Sequence, residues 1–194
     1  MSKKLIVAVS GASGFQLGFE LLKSLKEKRI ETHLIISNAA QKVRQYETEI
    51  SDEEITNYTD YIYKPEDIHT RICSSSFDVD GMIIIPCSMN TLGHIANGIE
   101  KNAITRAANN QLKSERTLIL VPRETPLTLP QLKNMVKARE AGCTILPAML
   151  CHYIKPQSVN DMEKFIVGRT LELLNIEHTE YKKWDIWVIN LFSF

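Results

Sequence analysis

The run Gly11-Ala12-Ser13-Gly14 has the residue types of an anion cradle. Its glycines let the backbone turn tightly and approach a ligand, and a helix starting just after them aims its first unpaired N–H groups at whatever anion sits there. A second run, Pro86-Cys87-Ser88-Met89-Asn90-Thr91, sets hydroxyls and an amide at the start of another helix, where they suit an anion or the edge of a ring. The first run is G-x-x-G, not the longer dinucleotide fingerprint, and no acidic residue closes the next strand to hold a ribose. Alone it reads equally as the ordinary strand-to-helix turn of an α/β protein. Arg123 and Glu124 stand between prolines in Pro122-Arg123-Glu124-Thr125-Pro126, a stiff loop that holds one cation and one carboxylate in place. Arg106 and Lys113, seven positions apart, share a helical face, which usually means a solvated one. Arg169 lies close to the direction of Met162, Phe165, Ile166 and Leu173. A guanidinium there needs a partner: a substrate phosphate, a carboxylate such as Glu124 or Glu47, or water reached by its own stem. Cys87 has no neighbouring base and is not expected to act as a nucleophile.

The elements that must position these side chains follow from hydrophobic pattern. Leu5 to Val9 and Gly81 to Pro86 are continuously apolar, as strands buried on both faces of a parallel sheet are. Glu31 to Ser37 and Thr117 to Val121 read as two further strands, and CTILP after Gly142 as a short last one. Helices are expected from about Phe15, over AAQKVRQYETE with Ala40, Val43 and Glu47 on one face, after Thr91, over Lys101 to Arg116, from Leu129 to Ala141, and after a Ser158 to Asp161 cap. TDYIYKPEDI reads as a connection with little pattern, and the CSSSF that follows as three hydroxyls able to approach a flat ligand, or a plain loop. Strand, small polar turn and helix occur twice, so the expected fold is a single-domain, doubly wound parallel sheet with helices on both faces. In such a sheet both turns meet at the topological switch point, where ligands bind.

Composition sets the outer limits. With 194 residues, 44% of them hydrophobic, the chain can bury one sizeable core, and one domain over 1–194 is expected. Its 23 basic and 23 acidic residues cancel, which argues against nucleic acid or an anionic membrane surface as partner. No apolar run approaches the roughly 20 residues of a bilayer span, and no charged-then-apolar leader is seen, so a cytoplasmic protein is expected. Cys73, Cys87, Cys143 and Cys151 lack C-x-x-C spacing, against both a zinc site and a disulfide framework. The tail WDIWVINLFSF is apolar and is expected to pack, from 185 to 194, on the body or on a neighbouring subunit.

Taken together, Gly11-Ala12-Ser13-Gly14, Pro86-Cys87-Ser88-Met89-Asn90-Thr91, Val121-Pro122-Arg123-Glu124-Thr125-Pro126 and Arg106-Ala107-Ala108 with Lys113 resemble one family. It is the UbiX and Pad type flavin prenyltransferases, formerly described as aromatic acid decarboxylase partner subunits. The likeness keeps its order from about Lys3 to Trp184. The resemblance implies a Rossmann-like flavoprotein, a homo-oligomer (often a dodecamer) with the active site between subunits. It also implies metal-free transfer of a dimethylallyl group from dimethylallyl phosphate to N5 and then C6 of reduced FMN, the product serving UbiD-type decarboxylases. On this chain it implies flavin contacts from Gly11, Ala12, Ser13, Ser37, Ser88, Met89, Asn90, Thr91 and Arg123. The prenyl phosphate would meet Arg106, Lys113, Arg123, Tyr153 and Arg169, with Trp184 covering the site. Ser13, Glu47, Lys113 and Glu124 would stand nearest the chemistry, the two glutamates either orienting cations or moving protons. The chain differs from the usual family pattern at Phe15-Gln16-Leu17-Gly18, at Asn109 and at Leu150-Cys151-His152. A non-catalytic FMN-binding accessory subunit and a flavin-dependent cysteine decarboxylase of the same fold are the rival readings. The second would want a histidine just after the second strand, where Asn38 to Ala40 stand.

Overall fold

The computed structural model describes residues 3–184, so the expectation for 185–194 lies outside the described residues. The chain divides into two compact units, one running to Ala148 and one beginning at Met149.

The first unit is built on the expected parallel sheet. β1 (Lys4–Val9), β2 (Glu31–Ile36), β3 (Tyr61–Tyr63), β4 (Gly81–Cys87), β5 (Thr117–Pro122) and β6 (Thr144–Ile145) pair in the order β3-β2-β1-β4-β5-β6. Every pair is parallel. The chain winds outward from β1 to one edge, then returns to β4 and winds to the other, which places the switch point between β1 and β4. The continuous apolar runs are explained by burial on both faces: Leu5, Ile6, Val7 and Ala8 of β1 and Met82, Ile83, Ile84 and Ile85 of β4 are all fully buried.

Helices cover both faces: α1 (Phe15–Glu27), α2 (Asn38–Glu47), α3 (Asp52–Asn57), α4 (Met89–Ala96), α5 (Ala103–Lys113) and α6 (Leu129–Glu140). Capping residues set their starts. Ser37 accepts the Ala40 N–H at 3.1 Å, Ser88 the Thr91 N–H at 3.2 Å and Asn102 the Thr105 N–H at 3.1 Å. These are the hydroxyl and amide residues that the sequence sets at helix starts.

β3 is a correction to the sequence reading, which left TDYIYKPEDI without structure. Three residues with both Tyr61 and Ile62 exposed carry no alternation to detect. What makes the strand is tertiary. Fully buried His33 of β2 stacks on the Tyr61 ring at 4.8 Å, and its Nδ1 lies 3.0 Å from the Tyr63 hydroxyl.

The second unit contains α7 (Val159–Leu173), opened by a capping box in which Ser158 and Asp161 satisfy each other's backbone N–H groups. The segment after α7 runs back along it. A Cβ at Gly168 would lie 2.6 Å from the Tyr181 ring and 2.7 Å from the His178 ring, so only glycine lets these rings rest on the helix.

Candidate active site

At the switch point the two turns are joined by a residue the sequence reading passed over. Ser10, buried at the end of β1, donates from its hydroxyl to the Pro86 carbonyl at 3.1 Å and accepts the Ser88 N–H at 2.7 Å. β1 and β4 therefore end in register, and both turns open into one cavity of ≈ 430 Å³. Gly11, Ser37, Ser88, Asn90 and Thr91, all expected from the sequence, line it. Gly11 is there because nothing larger fits: a Cβ would stand 2.5 Å from the Ala39 Cβ at the start of α2. Ala12 and Met89, also expected, are buried next to lining residues without lining the cavity themselves.

The rest of the wall was not foreseen. Asn38, Glu66, His94, Lys101, Asn102 and Thr105 supply its other polar groups, with Ala39 and Pro65 between them. Asn38 donates to the Glu66 carboxylate across the mouth. The Asn102-x-x-Thr105 spacing was a legible cap signal, but only the packing of α5 brings that cap to the same cavity as α2 and α4. Three helix N-termini and one lysine thus face a single hollow. N–H dipoles, hydroxyls, amides and a cation suit a phosphorylated ligand with a polar ring system. A second hollow, of ≈ 350 Å³ beneath Lys26, Arg29, Glu31 and Asp60, lies at the start of β2 and away from the strand ends where open sheets place ligands.

Ser13 is gripped from two sides. Arg123, on the loop after β5, donates from Nε to the Ser13 carbonyl at 3.3 Å. Glu47, in the last turn of α2, accepts the Gly14 N–H at 2.8 Å and also the Ser13 hydroxyl and the Phe15 N–H. Gly14 has no side chain to cap α1, so a carboxylate from another helix does it, at the helix end where negative charge is favoured. Partial desolvation works against the Glu47 charge, but the hydrogen bonds from Ser13, Gly14 and Phe15 and the nearby Arg123 outweigh it and hold the carboxyl below its ordinary range. Glu47 is therefore an acceptor at neutral pH.

The sign of the pH effect follows. A carboxyl whose value is depressed by folding adds stability above the unfolded value, near about 4.3, and loses it as pH falls through the lower folded value. Glu47→Gln is expected to be less stable than the wild type at neutral pH, with the gap closing below about pH 4. Urea midpoints across a pH series test this, and a gap independent of pH would refute it.

Other expected residues lie apart from the cavity within this chain. Arg106 and Lys113 do share a face of α5, where both reach the Glu100 carboxylate, at 3.4 and 3.3 Å. Glu124 is exposed and accepts the N–H of its own neighbour Thr125 at 3.1 Å. Cys87 is fully buried, which pushes its thiol far above the ordinary range, as expected for a core residue.

In the second unit, Tyr153, Arg169 and Trp184 belong to one cluster. The Tyr153 ring meets Trp184 edge-on at 5.1 Å and Phe165 at 5.9 Å. Arg169 is paired with Glu172, one turn along α7, in place of the Glu124 or Glu47 weighed from the sequence. His178, Tyr181 and Lys183 were not foreseen, because only the fold of the segment onto α7 brings them to this cluster, whereas Phe165 and Glu172 stand on α7 itself beside Arg169. No group of three or more possible metal ligands occurs among the described residues, and no helix among them is long and apolar enough to cross a membrane.

An open parallel sheet with an anion-suited crevice at its switch point defines a nucleotide- or flavin-binding α/β protein, and the family model described as Flavoprotein matches residues 1–171. The chain is 44% identical to the flavin prenyltransferase UbiX of Saccharolobus solfataricus, over 94% of this chain and 92% of that protein. It belongs to the UbiX-type flavin prenyltransferase family. A crystal structure of AnUbiX (PadA1) in complex with FMN and dimethylallyl pyrophosphate superposes with a TM-score of 0.94 at 37% identity, covering 96% of this chain and 100% of that one. A dodecameric FMN-dependent UbiX-like decarboxylase from Escherichia coli O157:H7 superposes at 0.91 with 39% identity, covering 94% and 99%.

Proposed function

We propose that this chain is a flavin prenyltransferase that transfers a dimethylallyl group from dimethylallyl phosphate to reduced FMN, working as one flavoprotein domain over its whole length. The observation that carries the reading is the switch-point cavity, where three helix N-termini meet at one end of the Gly11 to Gly14 turn whose Ser13, itself outside the cavity lining, is held by both Arg123 and Glu47.

Ser37, Ser88, Asn90 and Thr91 hold the flavin by its polar groups, with Gly11 and Ala12 letting it approach the backbone. Lys101 adds a cation to the same wall. Bound there, reduced FMN supplies the nitrogen and carbon, N5 and then C6, to which the dimethylallyl group becomes attached. Ser13 presents its hydroxyl to that region, kept in place by Glu47 as acceptor. Arg169 and Tyr153 meet the phosphate of the donor. The Tyr153 phenol, protonated at neutral pH as any ordinary tyrosine is and raised further by partial desolvation, serves as a hydrogen-bond donor. Cations fixed around a phosphate stabilise the negative charge it gathers as the allylic C–O bond breaks. Trp184 offers an aromatic face to the positive charge that develops on the allyl group. Arg106, Lys113 and Glu124 would join from a neighbouring copy of the chain, because none of the three lines the cavity of its own chain and the two cations pair there with Glu100. The protein is then a homo-oligomer in the cytoplasm, passing its product to a UbiD-type decarboxylase.

Anaerobic incubation with reduced FMN and dimethylallyl phosphate, followed by mass spectrometry, should show a flavin heavier by one five-carbon unit. A parallel incubation with the pyrophosphate separates the two donors. Bound FMN without an adduct from either would overturn the reading in favour of an accessory flavin carrier. Decarboxylation of a peptidyl cysteine is disfavoured by Asn38, which opens α2 and pairs with Glu66 where that chemistry would want a histidine.

A further inference from the structure

The carboxylate of Glu172 is engaged at both oxygens. Oε2 pairs with Nη1 of Arg169. Oε1 accepts from the Tyr181 hydroxyl at 3.0 Å and lies 3.3 Å from the Lys183 ammonium and 3.4 Å from Nε2 of His178. Nδ1 of His178 accepts the Glu180 N–H at 3.2 Å, so a ring proton on Nε2 faces Glu172. The His178 side chain is only 1% exposed, and both it and Tyr181 rest on the bare backbone of Gly168.

Two features separate this arrangement from a simple fastening of the segment to α7. Tyr181, Lys183 and His178 reach the carboxylate from beyond the helix, and they are enough to fasten it. Arg169 lies on the same helix as Glu172, three positions away, so its bond to the carboxylate joins no separate pieces of chain. What that bond does is hold a guanidinium that is otherwise half-exposed. The guanidinium also borders open space: Arg169, Glu172 and Lys183, together with Glu177, line a hollow of ≈ 580 Å³ that an anion could enter.

We infer that Glu172, itself fixed by Tyr181 and His178, is a positioning residue that aims the Arg169 guanidinium at the phosphate of the prenyl donor. This rests on the reading of Arg169 as a phosphate-binding residue given above. Arginine has five N–H donors in a rigid fork, so committing Nη1 to Glu172 leaves others for the ligand. A long side chain held in advance loses less freedom when the anion arrives, which favours binding without any contact from Glu172 to the ligand. Lys183, paired with Glu172, offsets part of the negative charge that Glu172 and Glu177 bring to the same hollow.

The test is the affinity of the FMN-loaded protein for dimethylallyl phosphate, and for inorganic phosphate as a minimal probe, by calorimetry. Glu172→Ala should weaken both by on the order of tenfold, leave FMN affinity unchanged, and be largely rescued in Glu172→Asp. Glu172→Gln, which keeps shape and a neutral acceptor, should fall between them and serves if the alanine variant does not fold. On an Arg169→Ala background, Glu172→Ala should have no further effect, since nothing remains to be aimed. The inference is overturned if Glu172→Ala and Glu172→Gln bind as well as or better than the wild type, or if the loss persists without Arg169. If Arg169→Ala itself binds both anions normally, the assignment of Arg169 fails and this inference with it. A wild type that binds both anions through Arg169 yet makes no prenylated flavin would overturn the proposed reaction while leaving the positioning role standing.

Discussion

Arg169→Ala is expected to slow prenyl transfer by about a hundredfold to a thousandfold while FMN remains bound as in the wild type, the range found when one fixed donor to a developing charge is lost. The charge in question is that of the departing phosphate. Its neighbours cannot replace the guanidinium: Lys183 is held by Glu172, and Tyr181 is a neutral donor already turned to the same carboxylate. Arg169→Lys should recover only part of the rate, because an ammonium is a point charge without the fork that meets two phosphate oxygens at once. Single-turnover kinetics under anaerobic conditions read the rate, and flavin absorbance after gel filtration reads the occupancy. A variant that loses its flavin would move Arg169 from the donor phosphate to the cofactor, and a variant of normal rate would remove it from the site.

Gly11→Ala acts at the other end of the chemistry and should spare the second unit. The added Cβ would lie 2.5 Å from the Ala39 Cβ, and its nearest neighbours also include Ala39 backbone atoms at 3.5 Å. No flexible side chain is there to give way, so the turn after β1 or the start of α2 must move, and both line the cavity. Overpacking of this kind costs about 1 to 3 kcal/mol, which corresponds to roughly 5- to 150-fold in FMN affinity if it falls on the cradle. Gly11→Val should leave no measurable flavin, because it adds two further carbons to a Cβ that already has no room against Ala39. Fluorescence titration with FMN gives the affinity, and far-UV circular dichroism shows that the sheet persists. Unchanged affinity in both variants would mean that the turn does not approach the cofactor.

These expectations draw on two kinds of information. Continuous apolar runs state that strands are buried on both faces, and small polar residues just after them state where helices begin. Both signals are local, and β1, β2, β4, β5 and the helix starts at Ser37, Ser88 and Ser158 were legible for that reason. β3 was not, because a three-residue exposed strand exists only through what His33 offers it from β2.

The site divides in the same way. Gly11, Ser88, Asn90 and Thr91 were readable as cradle residues because small and polar types just after a buried strand are a local signal, whereas Ser37 entered as a ligand contact through the likeness to the family. Ser10 was not, because a serine that stitches two strands looks like any serine until β1 and β4 are side by side. For Arg169 the sequence determined that a cation among apolar neighbours must have a partner. The partner, Glu172, stands three positions on in the same helix and was within local reach; what only the tertiary structure decided is that Tyr181, His178 and Lys183 fix that carboxylate, because the fold of the chain past Gly168 brings them to it.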